Sequence, residues 1–94
     1  MIEEPKRVLE NLKTIRDYLA AEFPGFLMTE DTSTPSVMHR ITMTNPQTYE
    51  QYRLKIGWPR LCDQSNTPEK TSRSLVHGDV AYKMRKAKGD YLYW

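Results

Sequence analysis

Val37–Trp58 reads VMHRITMTNPQTYEQYRLKIGW, and the fold turns on how this stretch is read. Val37, His39, Ile41 and Met43 alternate with Met38, Arg40, Thr42 and Thr44. After an interruption, Tyr52, Leu54, Ile56 and Trp58 alternate with Gln51, Arg53, Lys55 and Gly57. Period-two alternation puts one set of side chains on each face of a strand, so both runs are predicted as strands with one face in the core. Thr44-Asn45-Pro46-Gln47 lies between them. Asn tolerates turn geometry and Pro presets its own φ, which makes the pair an antiparallel hairpin. The competing reading is a helix over Pro46–Leu54.

Upstream, Val8, Leu12, Ile15, Leu19 and Phe23 recur at steps of four, three, four and four, which is one stripe of an amphipathic helix over Pro5–Phe23. Pro5 suits the first turn, Glu3 and Glu4 complement the positive end of the dipole, and Lys13/Asp17 is an opposite-charge pair four apart. Pro24-Gly25 ends the helix. Phe26–Thr29 reads as a short strand, and Glu30–Ser36, EDTSTPS, as a polar loop.

Downstream, Pro59 closes the second hairpin strand and Arg60–Asn66 reads as a connecting loop. Thr67-Pro68-Glu69 is a helix-start pattern of capping hydroxyl, N1 proline and first-turn acid, beginning a helix to about His77. Gly78-Asp79 interrupts it, and Asp79 is expected to cap a further stretch through Val80, Met84 and Ala87 that Gly89 closes. One kinked helix and two separate helices both fit. Tyr91-Leu92-Tyr93-Trp94 is predicted as a short terminal strand, with Leu92 and Trp94 packing on the sheet or the first helix. The predicted fold is a single α+β domain over residues 1–94 in the order α-β-β-β-α-β. A small antiparallel sheet is packed by an N-terminal amphipathic helix and a C-terminal helical segment. The core order resembles the layout of double-stranded-RNA-binding domains. Thr67–Thr71, TPEKT, departs from that family's basic helix start, and no residue role is carried over.

Ninety-four residues support one core and not two. With 38% hydrophobic and 28% charged residues, the chain has the composition of an ordinary soluble protein. The net charge of +2 is unevenly spread: Met1–Thr34 carries four basic and seven acidic residues, net −3, and Pro35–Trp94 ten and five, net +5. The later part is therefore the one to meet an anionic partner. A lone Cys62 excludes an intramolecular disulfide. The amino terminus, MIEEPKRVLE, is acidic where a secretory signal is basic, and no run of about 18 apolar residues occurs, so the expected location is cytoplasmic, with no membrane partner.

The sequence has no CxxC, HExxH or phosphate-loop pattern, so neither metal nor other cofactor is expected. Cys62, His77 and Asp79 are the residues from which a thiol enzyme would have to be built, and sequence proximity alone supplies no such geometry. The leading expectation is a small non-catalytic binding domain that acts through protein–protein contact. Tyr49, Tyr52, Trp58, Tyr91, Tyr93 and Trp94 supply the aromatic anchors, and a second copy of the chain is one candidate partner. The alternative is a nucleic-acid binder that uses a basic and aromatic surface of Arg53, Lys55, Lys83, Arg85, Lys86, Lys88, Tyr91 and Tyr93.

Overall fold

The computed structural model describes residues 6–33, 38–57, 60–61 and 67–94. It contains α1 (Lys6–Glu22), β1 (Leu27–Ser33), β2 (Met38–Thr44), β3 (Gln51–Gly57), α2 (Pro68–His77), α3 (Val80–Ala87) and β4 (Tyr91–Tyr93). The strands form one sheet in the order β1-β2-β3-β4. This is the α+β order read from the sequence.

The stripe on α1 behaves as its spacing predicts: Val8, Leu12, Ile15, Leu19 and Phe23 are all buried. They meet Ile41 and Met43 of β2 and Leu54 and Ile56 of β3, the inward sets of the alternating strands. Leu75, Val80, Ala81 and Met84 from α2 and α3 complete the core, so the described helices occupy one face of the sheet. The turn Asn45–Glu50 closes the hairpin by local bonds rather than by a helix. The Asn45 side-chain oxygen accepts from the backbone N–H of Gln47 at 2.9 Å and of Thr48 at 3.3 Å, and Asn45 N–H donates to Glu50 O at 2.8 Å.

Four readings are corrected. Glu30–Ser33, expected in a loop, extend β1 through pairs from Glu30↔Ile41 to Ser33↔Met38; residues 34–36 of that stretch lie outside the described residues. β1 is paired on one side only, and an edge strand tolerates polar residues that a central one does not. Its outward Asp31 holds Arg40 through two bonds of 2.6 and 2.9 Å, and its inward Glu30 finds partners beneath the sheet. Second, the sheet is mixed rather than wholly antiparallel: β4 runs parallel to β3, because α2 and α3, which lie between them, carry the chain back to the end of the sheet where β3 begins. Third, Arg60 and Leu61, expected in a loop, have helical backbone, and Leu61 is buried in the core. Fourth, Asp79 precedes α3 but makes no capping bond, since its backbone is left-handed at φ 49°. The Tyr18 hydroxyl accepts from Ala81 N–H at 3.1 Å instead, which ties α1 to the start of α3.

The other boundary signals hold. The Thr67 hydroxyl accepts from Lys70 N–H at 3.2 Å, with Pro68 at the first helical position. The segment after it is two helices joined at Gly78-Asp79. Gly78 is required by proximity: a Cβ there would sit 2.9 Å from the Ser74 carbonyl oxygen. Leu92 and Trp94 pack against the core as expected. Of the α1 ion pairs, Lys13 and Asp17 meet at 2.8 Å on the exposed face.

Between the layers lie two polar clusters. Asn11 is fully buried; its amide donates to Leu61 O at 3.4 Å and accepts from the Thr71 hydroxyl at 3.1 Å, linking α1, α2 and the segment before α2. Near the β1 edge, Glu30 accepts from Arg16 Nε at 2.8 and 2.9 Å and lies 2.9 Å from Nε2 of buried His39. Burial works to raise the Glu30 carboxyl, but the bonds to His39 and Arg16, with the charge of Arg16, outweigh it and hold the group below its usual range.

Candidate functional site

Strand alternation gives the sheet two unlike faces. Met28, His39, Ile41, Met43, Tyr52, Leu54, Ile56 and Leu92 point toward the helices. The opposite face carries Thr29 and Asp31 from β1, Arg40 and Thr42 from β2, Arg53 and Lys55 from β3, and Tyr91 and Tyr93 from β4. None of the described helices covers that face.

The registers bring the chemistry together. Arg53 pairs with Thr42 on one side and Tyr91 on the other, while Lys55 pairs with Arg40 and Tyr93. The Arg53 guanidinium lies 5.4 Å from the centre of the Tyr91 ring. The Lys55 ammonium is 4.5 Å from the Tyr91 ring centre, 5.0 Å from that of Tyr93 and 3.4 Å from the Tyr93 hydroxyl. Cations over ring faces gain from the ring quadrupole and hold both partners in place. Arg53 Nη2 donates to the Gln51 side-chain oxygen at 2.7 Å, and its Nε has no hydrogen-bond partner among the described residues. Tyr93 is 66% exposed. A shallow cleft of about 100 Å³ lined by Thr29, Asp31, Arg40, Thr42 and Tyr91 runs across the strands beside this cluster.

Arg40 is the cation on this face with a carboxylate partner. Its bonds to Asp31 raise its already high pKa further, with a smaller contribution from Tyr91. Arg53 and Lys55 have no acidic partner among the described residues, and this region of the face is therefore positive and aromatic.

The three cations of α3, Lys83, Arg85 and Lys86, and Lys88 just after it are placed elsewhere. α3 packs on the helix side of β3 and β4, and the side chains of Lys83, Arg85, Lys86 and Lys88 are exposed around it. Arg85 stacks 4.5 Å from the Phe23 ring centre and donates to the Glu22 carbonyl, and Lys86 lies 5.7 Å from the ring centre of Tyr82. The eight-residue surface read from the sequence thus divides into Arg53, Lys55, Tyr91 and Tyr93 on the open face and a cationic group on α3. Chain proximity of Lys88 to Tyr91 suggested one patch, but the turn at Gly89-Asp90 redirects the chain from one layer to the other. Arg40 belongs to the open face by register, a signal already present in the alternation of β2.

The aromatic anchors are dispersed as well. Tyr52 packs inside, its ring 5.3 Å from Phe23 and 5.9 Å from Phe26, and its hydroxyl donates to Glu50 at 2.7 Å. That bond and burial raise the Tyr52 pKa. Trp94 is partly buried with the Arg60 guanidinium 4.1 Å from its ring, and burial lowers the Arg60 pKa. Trp58 lies outside the described residues. So does Cys62, and the two remaining members of the proposed thiol grouping, His77 and Asp79, are exposed and share no hydrogen bond. No described helix is long and apolar enough to cross a membrane. No protein-family model, curated protein or solved structure matches this chain.

Proposed function

We propose that the protein is a non-catalytic binding domain whose open sheet face takes single-stranded nucleic acid. The observation that carries the reading is the cluster of Arg53, Lys55, Tyr91 and Tyr93 on one face, side by side in register, with two cations that no described carboxylate neutralises. Single strands are held by cations that follow the phosphates and by aromatic rings on which unpaired bases stack. A flat sheet presents both at regular spacing, with adjacent strands roughly 4.8 Å apart.

The protein-docking expectation draws less support from the same geometry. The large exposed apolar side chains, Leu9, Leu27, Tyr49, Val76, Tyr82 and Tyr93, are distributed over α1, β1, the hairpin turn, α2, α3 and β4. An interface core needs such anchors clustered in one place.

The test is titration of a fluorescein-labelled oligouridylate decamer with the protein at low salt, read by anisotropy. Saturable binding that weakens on replacing Tyr93 by Ala supports the reading. No change in anisotropy at high micromolar protein rejects it.

A further inference from the structure

A second opening lies where β3 begins and the chain enters β4. It is a pocket of about 490 Å³ whose walls include Tyr49, Gln51, Arg85, Lys88 and Gly89. That volume falls in the range of small-molecule sites. Three features set it apart from the other surface depressions.

The first is its backbone. Tyr49 has φ 63°, Lys88 has φ 51° and Gly89 has φ 94°. Of the three non-glycine residues with positive φ among the described ones, two therefore line this one pocket, and neither Tyr nor Lys is a residue that adopts the left-handed region readily. Lys88 takes this conformation as the residue that ends α3, its N–H bonded to Arg85 O at 3.3 Å, and at both positions the left-handed backbone fixes the direction in which a lining side chain leaves the chain. The second is what is aimed. Tyr49 is 78% exposed, and the Lys88 ammonium has no partner among the described residues. The pocket's one acid, Glu50, accepts from the Tyr52 hydroxyl and keeps its charge, and against it Arg85 and Lys88 leave the lining net positive by one. The third is continuity. The Gln51 side chain, in the pocket wall, accepts from Arg53 at 2.7 Å and donates to Thr44 at 3.4 Å, so the pocket opens beside the first cation of the sheet face.

We infer that this pocket seats one nucleobase and its phosphate, with the base against the Tyr49 ring and the phosphate at Lys88. The inference rests on the reading of the sheet face as a nucleic-acid platform and adds to it a place for a single nucleotide. That chemistry comes either from the end of a strand lying along β3 and β4 or from a free mononucleotide.

The experiment is a pair of NMR titrations of the whole chain, one with uridine 5′-monophosphate and one with the oligouridylate decamer, following backbone amides. It is repeated on the double variant Tyr49→Gly/Lys88→Gly. Glycine adopts positive φ freely, so the variant is expected to fold and to melt a few degrees higher than the parent. The expected result is that the mononucleotide shifts the amides of Tyr49, Lys88 and Gly89, and that the variant binds it at least about tenfold more weakly, a loss of about 1.4 kcal/mol. If the decamer shifts these amides together with Arg53, Lys55 and Tyr91, the source is a strand end; if only the mononucleotide shifts them, it is a free nucleotide. Either outcome supports the pocket. Decamer shifts confined to Arg53, Lys55 and Tyr91, with the mononucleotide silent, overturn the pocket and leave the sheet reading standing. A decamer that shifts none of these residues overturns the sheet reading instead. Equal mononucleotide affinity in the parent and the more stable variant also overturns the pocket.

Discussion

Replacing Arg53 and Lys55 together by Gln changes the open face in a way that can be worked through numerically. Gln keeps a polar aliphatic stem at each position but lacks the guanidinium and ammonium that lie over the Tyr91 and Tyr93 rings, so the charge and the ring contacts go together. Arg40 remains but is engaged by Asp31. Each phosphate neutralised on a single strand contributes about −0.7 to the slope of log K against log salt. With Arg53 and Lys55 each engaging one phosphate, and Lys88 a third where the strand end enters the pocket, the parent slope is about −2.1, and the double variant, left with Lys88, falls to about −0.7. Between about 50 and 200 mM salt the parent then loses about 20-fold in affinity and the variant about threefold. Anisotropy titrations of the labelled decamer across that range measure both slopes, with circular dichroism melts to show that the variants fold. Tyr93→Ala is the companion measurement. It removes a stacking surface and no charge, so it costs about 1–3 kcal/mol at every salt concentration and leaves the slope unchanged. Parallel slopes for the parent and R53Q/K55Q refute the assignment of these cations to phosphate.

Three further outcomes test the fold that presents the site. Asn11→Ala leaves the buried Thr71 hydroxyl without the acceptor it has at 3.1 Å, so urea unfolding should show a loss of about 1–3 kcal/mol. Gly78→Ala pushes a methyl to 2.9 Å from the Ser74 carbonyl oxygen, and distorting the last turn of α2 to relieve that contact should cost about 1–3 kcal/mol in the same assay. Glu30→Gln tests the cluster under the β1 edge through pH. Because the folded carboxyl titrates below the usual 4.5, its contribution is fully present above about pH 5 and is lost as pH falls through the folded value. Thermal melts should therefore show E30Q about 0.5–2 kcal/mol less stable than the parent at neutral pH, with a shallower decline from about pH 5 to 3, so that the two converge in acid.

How much was legible in the sequence differs from one part of the molecule to another, and the differences have a common cause. The α1 stripe from Val8 to Phe23 and the alternation of Ile41, Met43, Leu54 and Ile56 were readable because a period of 3.6 or 2 is a local property that burial then enforces. The Thr67 cap was readable for the same reason, as one hydroxyl beside one helix start. Glu30–Ser33 were misread because a polar run carries no local sign that a distant Arg16 and a facing His39 and Arg40 will satisfy it. Asp79 was misread because its capping role passed to Tyr18, a residue 63 positions from the helix it serves.

The candidate site divides the same way. Which residues alternate outward from β2 and β3 could be read locally, because strand pleating assigns faces once a strand exists, and that reading placed Arg40, Arg53 and Lys55 away from the core. That β4 lies parallel to β3, with Tyr91 opposite Arg53 and Tyr93 opposite Lys55, while the cations from Lys83 to Lys88 go to the other layer, follows from the packing of the whole fold. The direction and register of a strand returning after two helices depend on how those helices pack across the core. That packing is a sum of contacts between residues far apart in the chain, which no local spacing records.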